Sequence, residues 1–117
     1  QAYTSQVGRY VKIGNHVFVT FRVEISDLGT LTTSQSATVE GLPFTSLNLA
    51  NSESTINVGH AASLALPVAG QNVVGLIGTT SPRIVLNLWD ATAGISALLI
   101  SELSVGGRLI GAGFYEV

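Results

Sequence analysis

Residues 16–26, HVFVTFRVEIS, alternate in a period of two, and this pattern constrains the fold more than any other feature of the chain. Successive side chains of a β-strand point to opposite faces, so alternation over ten residues predicts a long strand. We expect one buried face and one largely solvated face, as in an antiparallel sheet. The predicted buried face comprises Val17, Val19, Phe21, Val23 and Ile25. The opposite face comprises His16, Phe18, Thr20, Arg22, Glu24 and Ser26.

A second strand is predicted immediately before this one, at residues 8–13. Gly14 and Asn15 separate the two strands. Both residue types tolerate positive φ, which a two-residue hairpin turn requires. The pattern therefore predicts a β-hairpin.

Short apolar runs separated by turn residues continue through the rest of the chain, which holds thirteen glycines. Such spacing is typical of an all-β sandwich or barrel. Pro43 is expected to end strand pairing, which lets Phe44 enter the core. Loops are predicted at residues 27–35 and 45–54. Further strands are predicted at residues 36–41, 55–66, 72–79, 83–90 and 108–117. With no linker or internal repeat, we expect residues 1–117 to form one domain.

Two segments near the C-terminus are less regular. Residues 95–103, ISALLISEL, fit a strand or successive helical turns, and we favour a strand followed by a tight turn at residues 101–103. In the last strand, Gly111 and Gly113 indicate close backbone approach or a bulge.

The composition points to association between chains. Apolar residues make up 46% of the sequence, charged residues only 10%, and the mean hydropathy is +0.47. A small domain this apolar is expected to hide surface against other subunits. The most apolar stretch, LALPVAGQNVVGLIG, is interrupted by Pro67, Gln71 and Asn72, so we expect no membrane insertion. Five basic residues and a net charge of −2 argue against nucleic-acid binding.

Signatures of catalysis are missing from the sequence, so we expect no enzyme, no cofactor and no metal site. Cysteine is absent, and the two histidines, His16 and His60, lack the close spacing of metal ligands. The acids Glu24, Asp27 and Asp90 lie near predicted strand ends, with nothing to distinguish them from solvated loop residues. There is no G-x-S-x-G nucleophile motif.

Trp89 is the strongest candidate for a binding residue. In IVLNLWD the predicted core face comprises Ile84, Leu86 and Leu88. Trp89 then lies on the outer face beside Asn87 and near Asp90, where an aromatic ring with polar neighbours could hold a sugar. The alternative is that Trp89 packs against a neighbouring subunit or a covering loop. Phe18 and Tyr10 raise the same choice, and we expect them at a subunit interface.

Several short motifs, taken in order, resemble the C-terminal β-sandwich domain at the tips of bacteriophage tail fibres and tailspikes. The resemblance spans nearly the whole chain. It rests on Gly8, Tyr10, IGN at 13–15, the alternating strand at 17–25, GLPF at 41–44 and GFY at 113–115.

This resemblance implies a jelly-roll-like antiparallel sandwich that forms a homotrimer at the far end of a fibre. The chain would be the C-terminal domain of a longer fibre or tailspike protein, extracellular and part of the virion. Its role would be trimerisation and support of host attachment. An alternative role is a carbohydrate-binding module for host surface glycans, with Trp89, Asn87 and Asp90 as binding residues. The resemblance supplies no catalytic residues.

Overall fold

The computed structural model describes residues 2–68, 70–90 and 94–117, except for the side chain of Asp90. Regular structure in these residues is almost entirely β. The strands are β1 (Ala2–Ile13), β2 (His16–Asp27), β3 (Thr38–Glu40), β4 (Ser54–Ala62), β5 (Asn72–Ile77), β6 (Arg83–Asp90), β7 (Gly94–Ala97) and β8 (Arg108–Glu116). A short 3₁₀ turn at Ile100–Glu102 precedes β8.

All eight strands belong to one antiparallel sheet. Its order is β1-β2-β8-β4-β5-β6-β3, and β7 pairs with β6 beyond the end of β3. Strands β2 and β6 are not neighbours in this order, yet their inner faces share one hydrophobic core. The sheet therefore curls into a half-barrel, and the predicted all-β, antiparallel, sandwich-like fold is confirmed.

The alternation of β2 is confirmed. Val17, Val19, Phe21 and Ile25 are buried, and Val23 packs against the core. The predicted core face of β6 is also correct, since Ile84, Leu86 and Leu88 are buried. The remaining core side chains are Ala37, Ile56, Val73, Ile77, Leu98, Ile100, Leu103, Leu109 and Tyr115.

The predicted hairpin joins β1 and β2. Ile13 pairs with His16, and Gly14 between them has a φ of 61°, as the first central residue of a type II′ turn requires. Strand β1 begins at Ala2, six residues before the predicted start. Residues 2–7 lack clear alternation because β1 is an edge strand with both faces largely exposed.

Glycines in β8 allow the close approach that the sequence predicted. A Cβ added to Gly111 would lie 2.5 Å from a ring carbon of Phe21, and one at Gly113 would lie 2.5 Å from Ile56 Cδ1. Both distances are shorter than van der Waals contact. The phenyl ring of Phe21 therefore occupies space that only glycine leaves open.

The irregular segments follow the favoured interpretation. Strand β7 ends at Ala97, and the chain then turns through Ile100–Glu102. Phe44 packs against the core as predicted. Tyr115 holds it there, because its hydroxyl donates to the Phe44 carbonyl at 2.9 Å and accepts from the Phe44 amide at 3.3 Å. The loop after β3 is thereby attached to the last strand.

Candidate functional site

Trp89 lies on the outer, convex face of the sheet, as predicted. Its side chain is 57% exposed. The sheet register places Asn72 of β5 on one side of Trp89 and Ile95 of β7 on the other. The ring is therefore the centre of a small surface made by three strands, with an amide on one flank and an aliphatic side chain on the other.

The predicted partners of Trp89 differ from it in accessibility. Asn87 shares the outer face but is only 7% exposed, because Val74 and Ala97 flank it on the neighbouring strands. The side chain of Asp90 lies outside the described residues. Of the two predicted residues whose side chains are described, only Trp89 is accessible, and its flanking residues Asn72 and Ile95 were missed. No local pattern could reveal them, because they are set by strand register.

A second exposed aromatic group lies at the other end of the outer face. Phe18 of β2 pairs with Phe114 of β8, and their ring centroids are 5.7 Å apart. The ring of His16 lies 5.9 Å from that of Phe114, and Val11 of β1 is directly opposite Phe18. Phe18 is 45% exposed and Phe114 is 53% exposed. We call Val11, His16, Phe18 and Phe114 the outer aromatic patch.

Phe18 and Tyr10, both predicted at a subunit interface, lie on opposite faces of the sheet. Tyr10 pairs with Val19, whose side chain points into the core. The ring of Tyr10 contacts the ring of Phe44 edge-on, at a centroid distance of 5.8 Å. Lys12 Nζ lies 5.0 Å from the centroid of the same Phe44 ring. Tyr10 therefore helps to close one end of a groove on the concave side.

That groove separates the two ends of the sheet, and we call it the open seam. Strand β1 lies on one side and β3 on the other, and the sheet order joins them only through the five strands between. Two adjoining cavities, of about 520 Å³ and 280 Å³, occupy this gap. Both are lined by Gly8, Phe21 and Val39. The side chains of Tyr3 and Leu31 stand at its rim.

The charged cluster around Glu24 pairs one carboxylate with two arginines. Glu24 Oε2 accepts hydrogen bonds from Arg22 Nη2 at 2.8 Å and from Arg108 Nε at 3.3 Å. Arg22 Nε also donates to Ser5 Oγ at 3.1 Å. These contacts connect β1, β2 and β8 across the outer face, so Glu24 has a structural role in this geometry.

Candidate metal ligands do not converge in the described part of the chain. No group of three or more His, Asp or Glu side chains there is close enough to hold a metal ion. His16 instead faces Glu116, with Nε2 3.2 Å from Oε1.

No helix among the described residues is long and apolar enough to cross a membrane. Comparison with protein-family models, curated proteins and solved structures found no match for this chain. The features of this chain that bear on function are the two exposed aromatic surfaces and the open seam.

Proposed function

We propose that this domain is a structural module that forms a homotrimer at the tip of a bacteriophage tail fibre or tailspike and supports attachment to the host surface. The proposal places the domain outside the cell, in the virion. Two observations support it: the motif resemblance and the large exposed apolar surface of the single chain.

The observation that carries the proposal is surface area. The chain exposes 6716 Å². A compact monomer of 12.1 kDa exposes about 6000 Å² by the usual scaling with mass. The excess of about 700 Å² is close to the ~800 Å² that each partner buries in a standard interface. A single copy thus exposes surplus surface close to the size of one standard contact, whereas each subunit of a closed homotrimer makes two contacts.

The exposed residues have the composition of an interface. Aromatic and aliphatic side chains of the outer aromatic patch and of β1 stand in solvent, while only 10% of the sequence is charged. The free edge of β1 adds unpaired backbone groups, which favour contact with another chain. Association between chains would cover both the exposed apolar side chains and the free edge of β1.

Light scattering of the isolated domain at micromolar to hundred-micromolar concentration tests the proposal. We expect a mass of three times 12.1 kDa. A monodisperse monomer across this range would contradict the proposal.

Carbohydrate binding is a second candidate function, and the exposure of Trp89 favours it. A flat ring flanked by the Asn72 amide suits a neutral sugar, which offers an apolar face and hydroxyl groups. The expected ligand is a host surface glycan.

A glycan array with wild-type and Trp89→Ala domains tests this second function. We expect loss of the glycan signal in the variant with its assembly unchanged. Ile95→Ala, at the flank of the ring, serves as a matched control and is expected to weaken binding less. If Trp89→Ala dissociates the assembly instead, Trp89 belongs to a subunit contact and the sugar site is refuted.

A further inference from the structure

The open seam exposes a route to the hydrophobic core. Its lining includes Ile25, Leu86 and Leu109, whose side chains otherwise belong to the buried cluster. Protein interiors are close-packed, and voids larger than a water molecule are few. The groove has polar residues such as Gln6, Gln35 and Glu40 in its lining beside these core side chains. It therefore gains stability when an apolar group covers the core side chains at its base.

The two strands that border the open seam, β1 and β3, cannot close it by pairing with each other. Strand β1 has twelve residues, whereas β3 on the opposite lip has three. The two strands lie at opposite ends of the sheet order, and β3 is too short to pair with more than a quarter of β1. Pairing between these two strands therefore leaves most of the groove uncovered.

A closed trimer needs two different surfaces on every copy. In a ring of three, the contact between neighbours is heterologous, so one face of each copy meets another face of the next. This chain has two surfaces of opposite shape that each expose apolar side chains. The outer aromatic patch is convex and carries the rings of Phe18 and Phe114, whereas the open seam is concave.

We propose that the outer aromatic patch of one copy docks into the open seam of the next copy, and that three such contacts close the ring. This inference rests on the proposed homotrimer and identifies the surfaces that form it. The rings of Phe18 and Phe114 would contact the apolar rim formed by Tyr3 and Leu31. The occupant of the seam is thus a second copy of this chain.

Complementation between two variants tests this arrangement. Phe18→Thr/Phe114→Thr removes the rings of the patch and keeps residues suited to strands. Tyr3→Lys/Leu31→Lys places charges at the rim of the seam, at side chains that are each 38% exposed. Leu49→Lys/Val105→Lys is the matched control, because both residues are exposed and lie outside the two surfaces.

We expect each of the two test variants to be monomeric and folded, as judged by light scattering and circular dichroism, and the control to remain trimeric. An equimolar mixture of the two variants should form a dimer containing one chain of each. In that dimer one intact patch meets one intact seam, and the ring cannot close.

The outcomes separate the inference from the function on which it rests. A wild-type monomer refutes the homotrimer itself. A wild-type trimer whose seam variant also remains trimeric refutes the docking inference alone. A mixture of the two test variants that stays monomeric at hundred-micromolar concentration also refutes the docking inference alone. Two-fold contact between identical patches would show as wild-type dimers.

Cysteine crosslinking offers a second measurement that leaves the core untouched. The chain contains no cysteine, so single thiols can be introduced without competing disulfides. Ile13→Cys lies beside the patch and Gln6→Cys lies at the seam. Under mild oxidation we expect disulfide dimers when the two variants are mixed and few when either is alone. Efficient crosslinking of Ile13→Cys alone would contradict the arrangement.

Discussion

At Gly111 the absence of a side chain allows the packing of a neighbouring strand. The ring of Phe21 lies against the Gly111 backbone, where a Cβ would stand 2.5 Å from a ring carbon. The inner face of β8 therefore carries two glycines, Gly111 and Gly113, between the large side chains of Leu109 and Tyr115. The ring of Phe21 fills the volume that a side chain at position 111 would otherwise occupy.

Gly111→Ala should consequently destabilise the fold by about 1–3 kcal/mol, the usual cost of overpacking a core. Urea denaturation at fixed chain concentration measures the change. Gly59→Ala in β4 is the control, because its added Cβ would meet nothing closer than 3.9 Å. Equal stability of the two variants would show that Phe21 moves aside freely.

Tyr115 is the buried polar group with the clearest environment. Its side chain is fully buried, and its hydroxyl bonds the Phe44 backbone. Burial raises the pKa of Tyr115 above its ordinary value of 10.0, although the hydrogen bond to Phe44 partly opposes the shift. The folded state therefore holds the phenolic proton to a higher pH than the unfolded state does.

Tyr115→Phe should destabilise the domain by about 1–3 kcal/mol at pH 8, since it leaves the Phe44 carbonyl without this donor. Above pH 10 the folded wild type binds more protons than its unfolded chain, so its free energy of unfolding falls as pH rises. This loss is absent from the variant. The stability difference should therefore narrow between pH 8 and pH 11 in denaturant titrations. A constant difference would contradict the raised pKa.

At the scale of elements, one buried serine connects a long loop to the turn between β5 and β6. Ser46 Oγ donates to the Gly78 carbonyl at 2.5 Å and accepts from the Ser81 amide at 2.8 Å. Its own amide donates to the Ser81 carbonyl at 3.0 Å. The loop after β3 is fixed by these bonds and by Tyr115, which explains how it lies ordered without regular secondary structure.

Ser46→Ala should cost about 1–3 kcal/mol, because it leaves the partly buried amide of Ser81 without its acceptor. Hydrogen exchange would show faster exchange at Ser81 than in the wild type. Ser52→Ala is the control, since its hydroxyl bonds only carbonyls of its own loop. Unchanged protection at Ser81 would mean that water replaces the hydroxyl.

For the whole molecule, assembly and stability are coupled. If the homotrimer buries the outer aromatic patch and the open seam, the folded state is favoured by mass action as chain concentration rises. We expect the Tm of the wild type to increase over a hundred-fold range of concentration. The Tm of Phe18→Thr/Phe114→Thr should stay constant, and a concentration-independent wild-type Tm would indicate a monomer.

The sequence alone predicted the inner and outer faces of individual strands. Val17 to Ile25 in β2 and Ile84 to Leu88 in β6 were assigned correctly, because the period of two reports directly which side chains enter a core. The Gly14 turn was predicted for an equally local reason, since positive φ selects glycine. The start of β1 was missed because an edge strand with two exposed faces has no apolar period to detect.

Relations between strands depended on the tertiary structure. Only the register of β2 with β8 brings Phe18 to Phe114, and only the curl of the sheet opens a seam between β1 and β3. Likewise the neighbours of Trp89 proved to be Asn72 and Ile95, while Asn87 became buried. Local alternation determines the face of each side chain, whereas pairing over long sequence distances decides its neighbours and its exposure. For that physical reason the sequence determined the strands and their core faces, and the tertiary structure decided where the exposed surfaces lie.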